Sequence, residues 1–134
     1  MVTKDDIEAF LDRLDETGAT YSEVSEGIWN VRPTGDLDFG VVVHHSPPVV
    51  VLRVNVMELP KSKTKLAALC RRLLELNASD LIHGSYGIQQ DSVVLTDALE
   101  LSHLDYEEFR AAYESITLAL ASNIRELATF REAR

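Results

Sequence analysis

The residue types able to do chemistry in this chain of 134 are few: four histidines, one cysteine, and a run of basic side chains in an otherwise acidic sequence. His44 and His45, with Asp36 and Asp38 upstream, offer the nitrogen and oxygen donors of a mononuclear metal site. Their spacing works against it. Asp38 and His44 lie six residues apart on one predicted strand, roughly 20 Å if extended, and adjacent strand residues face opposite ways. With Ser46-Pro47-Pro48 following, the pair reads as a solvated turn, and no metal is expected. Cys70 falls on an apolar stripe between Leu69 and Leu73, the setting of a buried structural thiol rather than of a nucleophile. His83-Gly84-Ser85-Tyr86-Gly87 places a serine among glycines, but the spacing is not that of a nucleophile elbow and no strand-to-helix turn follows. Its Gly-x-x-Gly also lacks the basic, helix-flanked setting that clamps nucleic acid. No catalytic residue and no cofactor is expected.

The local charge anomaly is Lys61, Lys63, Lys65, Arg71 and Arg72, five of the thirteen basic residues within twelve positions. Lysines at a helix start oppose its dipole, so they do not serve the helix. They would suit an anion or an acidic segment, while the plainer reading is a solvated face balancing the acidic remainder. Trp29 beside Ile28 reads first as core and second as an interface hot spot.

The elements that must position these residues follow from periodicity. Thr3 caps a helix over about Lys4 to Thr17, with Asp5, Asp6 and Glu8 in its first turn, Ile7, Phe10, Leu11 and Leu14 at helical spacing, and Gly18 as terminator. Tyr21 to Val24 and Ile28 to Val31 are strand-like around Glu26-Gly27, which is either a tight turn or a bulge in one bent strand. Leu37 to His44 and Val49 to Met57 form the clearest hairpin, with Val50, Leu52, Val54 and Val56 on one face and Arg53 and Asn55 on the other. A second helix over Lys61 to Asn77 carries Leu66, Leu69, Cys70, Leu73 and Leu76 on one stripe. Ile82 to Ile88 and Val93 to Ala98 are two further strands around Gln89-Gln90-Asp91. Asp105 caps a last helix reaching about Phe130, roughly 39 Å and longer than a small core requires, so Arg125 to Arg134 is expected to overhang or fray.

With 46% apolar and 26% charged residues, residues 1–134 read as a single α+β domain. The lone cysteine and the polar start favour a cytoplasmic protein, and no apolar run approaches a membrane span. Twenty-two acidic against thirteen basic residues give a formal charge of −9, which repels phosphate backbones and anionic lipid. Neither nucleic acid nor a membrane is an expected partner.

Leu73-Leu74-Glu75-Leu76-Asn77, then Tyr86-Gly87-Ile88-Gln89-Gln90-Asp91-Ser92-Val93-Val94-Leu95, then Leu104-Asp105-Tyr106-Glu107-Glu108-Phe109 opening a long helix, resembles the type III secretion chaperone-like superfamily. That grouping contains the class I secretion chaperones and the YbjN-type domains, labelled sensory-transduction regulators. The resemblance implies element order α-β-β-β-α-β-β-α, an antiparallel sheet packed by helices, which the periodicity gives independently. It also implies a non-enzymatic homodimer that binds a polypeptide partner. The dimer contact would map to Leu66, Leu69, Leu73 and Leu76, and the partner, added as a strand or laid on the sheet, to Ile28, Trp29, Val49, Val51 and Met57. The alternative is a small-molecule or anion sensor that uses Lys61, Lys63, Lys65, Arg71 and Arg72.

Overall fold

The computed structural model describes residues 1–35 and 37–131. Helix α1 spans Lys4–Asp15, followed by strands β1 Thr20–Ser25, β2 Ile28–Arg32, β3 Val41–Ser46 and β4 Val49–Glu58. Helix α2, Lys63–Ser79, leads to β5 Ser85–Gln89, β6 Ser92–Glu100 and helix α3, Tyr106–Ala128. The fold is α+β, as expected. Glu26-Gly27 is a tight turn, so four strands rather than three precede α2. Gly27 takes a φ of +76° there, in the left-handed region glycine reaches without a Cβ penalty.

Local chemistry sets the helix boundaries. At α1 the Thr3 hydroxyl accepts from the Asp6 amide at 3.2 Å while the Asp6 carboxylate accepts from the Thr3 amide at 2.9 Å. Asp105 and Glu108 form the same reciprocal box at α3. Ser62 caps α2 by accepting from the Lys65 amide.

The strands form one antiparallel sheet in the order β1-β2-β3-β4-β6-β5. The two prolines make the whole β3–β4 turn, with Ser46 pairing Val49 on either side of it. Leu37 and Phe39 pack on the core outside any ladder, so β3 starts at Val41 rather than at Leu37. Likewise β5 starts at Ser85, and Ile82 before it is 88% exposed.

Alternation gives the sheet two different faces. Trp29, Val31, Val41, Val43, Val50, Leu52 and Val54 point inward and are buried with the apolar stripes of all three helices in one cluster. The helices therefore cover one face. Phe10 of α1 meets Tyr106 and Phe109 of α3 at ring separations of 5.9 and 5.6 Å, and Arg13 lies 3.9 Å over the Tyr106 ring. Helix α3 does not overhang within the described residues: Leu127 is buried and Phe130 packs on the core. The last three residues of the expected tail, 132–134, lie outside the described residues.

Candidate polypeptide-binding surface

The second face of the sheet carries no helix, and its residues fall in two rows fixed by register. Ile28, His44, Val51 and Ala98 align across β2, β3, β4 and β6. Asn30, Val42, Arg53, Thr96 and Ser85 form the next row. Arg53 donates to the Gln89 side chain, and a shallow hollow of about 610 Å³ lies between Val51, Arg53, Ser85, Gln89, Thr96 and Ala98. Ile28, Val49 and Val51 are thus brought together as half-buried side chains on this open face.

Two of the expected partner-binding residues are not there. Trp29 pairs with Val43 on the inward face and is 1% exposed. Met57 shares the odd-number alternation of Val49 and Val51, yet a bulge between Asn55 and Met57 reverses that alternation and turns it inward opposite Val93. Both are core side chains.

The leucine stripe of α2 also needs correction as a dimer contact. Leu69 and Leu76 are fully buried and Leu73 is buried, all three in the chain's own core, while Leu66 is half-buried. The three buried leucines cannot meet a second copy while the domain is folded. The apolar residue that α2 turns to solvent is Leu74, 69% exposed.

The basic cluster does not converge. Arg72 forks onto Glu126 of α3, which holds its guanidinium above its ordinary range and lowers Glu126, and Arg71 lies 3.7 Å from Glu75. Lys65 Nζ donates to the Arg131 carbonyl at 3.4 Å, while Lys61 and Lys63 are exposed at the helix start. Arg71 and Arg72 are therefore already matched by carboxylates of the chain.

His44 is exposed on the open face, whereas His45 Nε2 sits 3.1 Å from the Val2 carbonyl. The two rings diverge, as strand geometry requires. Asp36 lies outside the described residues, and among those described no three His, Cys, Asp or Glu side chains are grouped to hold a metal ion. Cys70 is half-buried rather than fully buried.

The sheet's two edges differ, a feature the sequence reading missed. At the β5 edge the Asn77 side chain of α2 accepts from the Tyr86 amide at 2.7 Å and donates to the Tyr86 carbonyl at 3.1 Å. It makes the two bonds a neighbouring strand would make, and so blocks that edge at Tyr86, while the other four residues of β5 are exposed. Tyr86 is held again at its hydroxyl, which accepts from buried Asn123 at 3.0 Å. The clue in the sequence was a polar residue four positions after Leu73 on the apolar stripe.

At the opposite edge, every residue of β1 except half-buried Tyr21 is exposed. Tyr21 donates to Asp12 of α1, and that bond, then burial, then the negative charges of Asp12, Glu8 and Asp15, raise its hydroxyl to about 12. Glu26 at the turn pairs with Lys4, which lowers Glu26 and raises Lys4. A bulge at Val24 separates Glu23 from Ser25 in the pairing with β2.

The CesT_Tir_1 family model matches residues 2–133. The chain belongs to this type III chaperone family. Among curated proteins, no sequence match is found. Among solved structures, the heterodimeric ExoU–SpcU complex from the type III secretion system of Pseudomonas aeruginosa contains a chain of TM-score 0.65 and 14% identity, covering 91% of this chain and 97% of that one. YbjN from E. coli gives 0.62 at 15% identity over 94% and 96%. The HopA1–SchA chaperone–effector complex gives 0.57 at 11% identity over 95% and 94%. At these identities the likeness establishes the fold. Family membership supports a protein-binding, chaperone-like role. Among the described residues no helix is long and apolar enough to cross a membrane.

Proposed function

We propose that this protein is a non-enzymatic, cytoplasmic, chaperone-like module, working as a homodimer, that holds a polypeptide partner in extended form. One segment of the partner adds as a strand to the outer edge of β1, and a further segment lies across Ile28, Val49 and Val51 on the open face, since β4 is four strands, roughly 19 Å, from the added strand. The observation that carries this reading is that the two edges differ: β5 is blocked at Tyr86 by the Asn77 side chain of α2, whereas β1 ends the sheet with every residue but half-buried Tyr21 exposed. Strand addition supplies backbone hydrogen bonds for affinity and leaves specificity to the flanking side chains. Complexes such as HopA1–SchA and ExoU–SpcU, solved on this fold, are consistent with a polypeptide as the ligand.

The test is capture of a polypeptide from lysate of the native organism on immobilised protein, followed by amide exchange on the purified complex. Protection of Thr20 to Ser25 is expected, with retention lost in Ile28→Asp and Val51→Asp. Trp29→Ala is unsuitable as a surface variant because its side chain is core. No retained polypeptide, or protection confined to β5, would refute the reading. Light scattering on the free protein checks the homodimer, which requires twice the chain's mass. The anion-sensor alternative loses support from the matching of Arg71 and Arg72 within the chain. Unchanged stability of the protein in millimolar phosphate is the expected result.

A further inference from the structure

The edge of β1 is bordered by an acidic ridge, more of it than capping and pairing within the fold use. Residues 4–26 hold eight carboxylates against two basic residues, Lys4 and Arg13. Lys4 is engaged with Glu26, and Arg13 lies over the Tyr106 ring. Asp5 and Asp6 favour the start of α1, where they meet the positive end of its dipole. Asp12 and Asp15 sit in its last turn, where negative charge is unfavourable. Glu8, Asp12 and Asp15 also lie at i, i+4 and i+7, so each like-charged pair three or four apart weakens the helix. Asp12 accepts from the Tyr21 hydroxyl, which places the stripe it shares with Glu8 and Asp15 beside β1.

Register shows what an added strand would meet. Tyr21 opposes Val31 and Glu23 opposes Trp29, so both lie on the helix side of β1, while Ser22 opposes Asn30 on the open side. Every second residue of a strand paired to β1 would face the carboxylates of Glu8, Asp12, Asp15 and Glu23. The residues between would face the open side next to Ser22. We infer that the β1 edge selects an extended segment with lysine or arginine at alternate positions and small or apolar residues between them. This rests on the strand-addition reading above and names the chemistry of its ligand. Cationic side chains would relieve the repulsion along α1 and gain charge-assisted hydrogen bonds with these carboxylates.

Three synthetic peptides test this on the full chain, each alternating valine or threonine with lysine, glutamine or glutamate. Binding is measured by fluorescence anisotropy at low and high salt, and the site by amide exchange. The lysine peptide is expected to bind about tenfold more tightly than the glutamine peptide, with the glutamate peptide weakest, and the differences should shrink at high salt. It should protect Thr20 to Ser25. A Glu8→Gln/Asp15→Asn/Glu23→Gln variant keeps Asp12 on Tyr21 and an oxygen for the Gly27 amide, and should lose the lysine preference. Asp15→Asn alone, checked by circular dichroism, should lose part of it. Equal binding of all three peptides with β1 protected would overturn the charge selection and leave strand addition standing. No protection of β1 by any peptide would overturn both. Self-association of the free protein that the triple variant abolishes would assign the ridge to a second copy and overturn the inference.

Discussion

Replacing Asn77 with alanine removes the two hydrogen bonds that close the β5 edge, and its cost can be worked from the structure. Each bond contributes about 1 kcal/mol net, so their loss costs about 2 kcal/mol. Alanine returns roughly 0.5 kcal/mol through its better helix propensity within α2. The balance is a loss of about 1.5 kcal/mol, toward 2 because Tyr86 is buried and its freed amide and carbonyl hydrate poorly. A chain of 134 residues carries an unfolding entropy of about 0.28 kcal/mol/K, so the melting temperature should fall by about 5–7 °C. Asn77→Asp is the companion variant: it can still accept from the Tyr86 amide but sets a carboxylate against the Tyr86 carbonyl, and should do no better than alanine. Scanning calorimetry gives the stability and amide exchange at Tyr86 gives the locus. Light scattering at rising concentration should show Asn77→Ala self-associating while the parent's mass stays constant, because an unpaired edge recruits other edges. A melting shift under about 2 °C with unchanged exchange at Tyr86 would refute the claim that Asn77 replaces a missing strand.

Tyr86→Phe should cost about 1–3 kcal/mol in urea unfolding, because it leaves the buried Asn123 amide without its acceptor. Leu69→Ala should cost about 2–5 kcal/mol, whereas Leu74→Ser, on the exposed face, should stay within about 0.5 kcal/mol; the opposite order would contradict the placement of the α2 stripe. Asp97 lies on the inward face opposite Leu52, with Oδ2 unbonded and 4.0 Å from His83 Nδ1. Burial raises its pKa, against smaller lowering effects from the Ala98 amide and His83. In the window between its unfolded and its raised folded pKa the native state holds more protons, so the stability contribution of Asp97 falls as pH rises through that window. Asp97→Asn should therefore be more stable than the parent at neutral pH, and the gap should close toward acid. A gap independent of pH in urea titrations would show that the carboxyl is not the cause.

The helices were legible because their signals are local. Thr3 with Asp6 and Asp105 with Glu108 are capping boxes that need no tertiary partner, and they start α1 and α3 where the sequence places them. Strand pairing is not local. The alternation of β4 is plain from Val49 to Asn55, but the bulge that turns Met57 inward exists only in its pairing with Val93. Leu37 and Phe39 alternate like a strand and are buried without one. For the site, an apolar stripe such as Leu69, Leu73 and Leu76 says that a helix face is covered, not whether by its own sheet or by a second chain. Ile28 and Val51 lie on the open face, where simple alternation holds. The roles of Asn77 and of the Glu8-Asp12-Asp15 stripe depend on which strands end the sheet, and that order is set by long-range pairing.

The two edges also solve one problem by different means. Every open antiparallel sheet ends in unpaired backbone groups that invite other copies. At β5 the remedy is permanent, since Asn77 is held within the fold and satisfies Tyr86 whatever the surroundings. At β1 the protection consists of charge and the Val24 bulge. Pairing two copies edge to edge at β1 would bring two acidic ridges together, which costs free energy when neither brings compensating cations. That barrier is specific to like charge. It opposes self-association through β1 and becomes an attraction for a cationic strand, so one row of carboxylates can keep the free protein from polymerising and favour its ligand. Any homodimer should accordingly avoid β1–β1 contact. Raising salt should weaken this barrier and cationic-peptide binding together, whereas the Asn77 closure of β5 should be indifferent to salt.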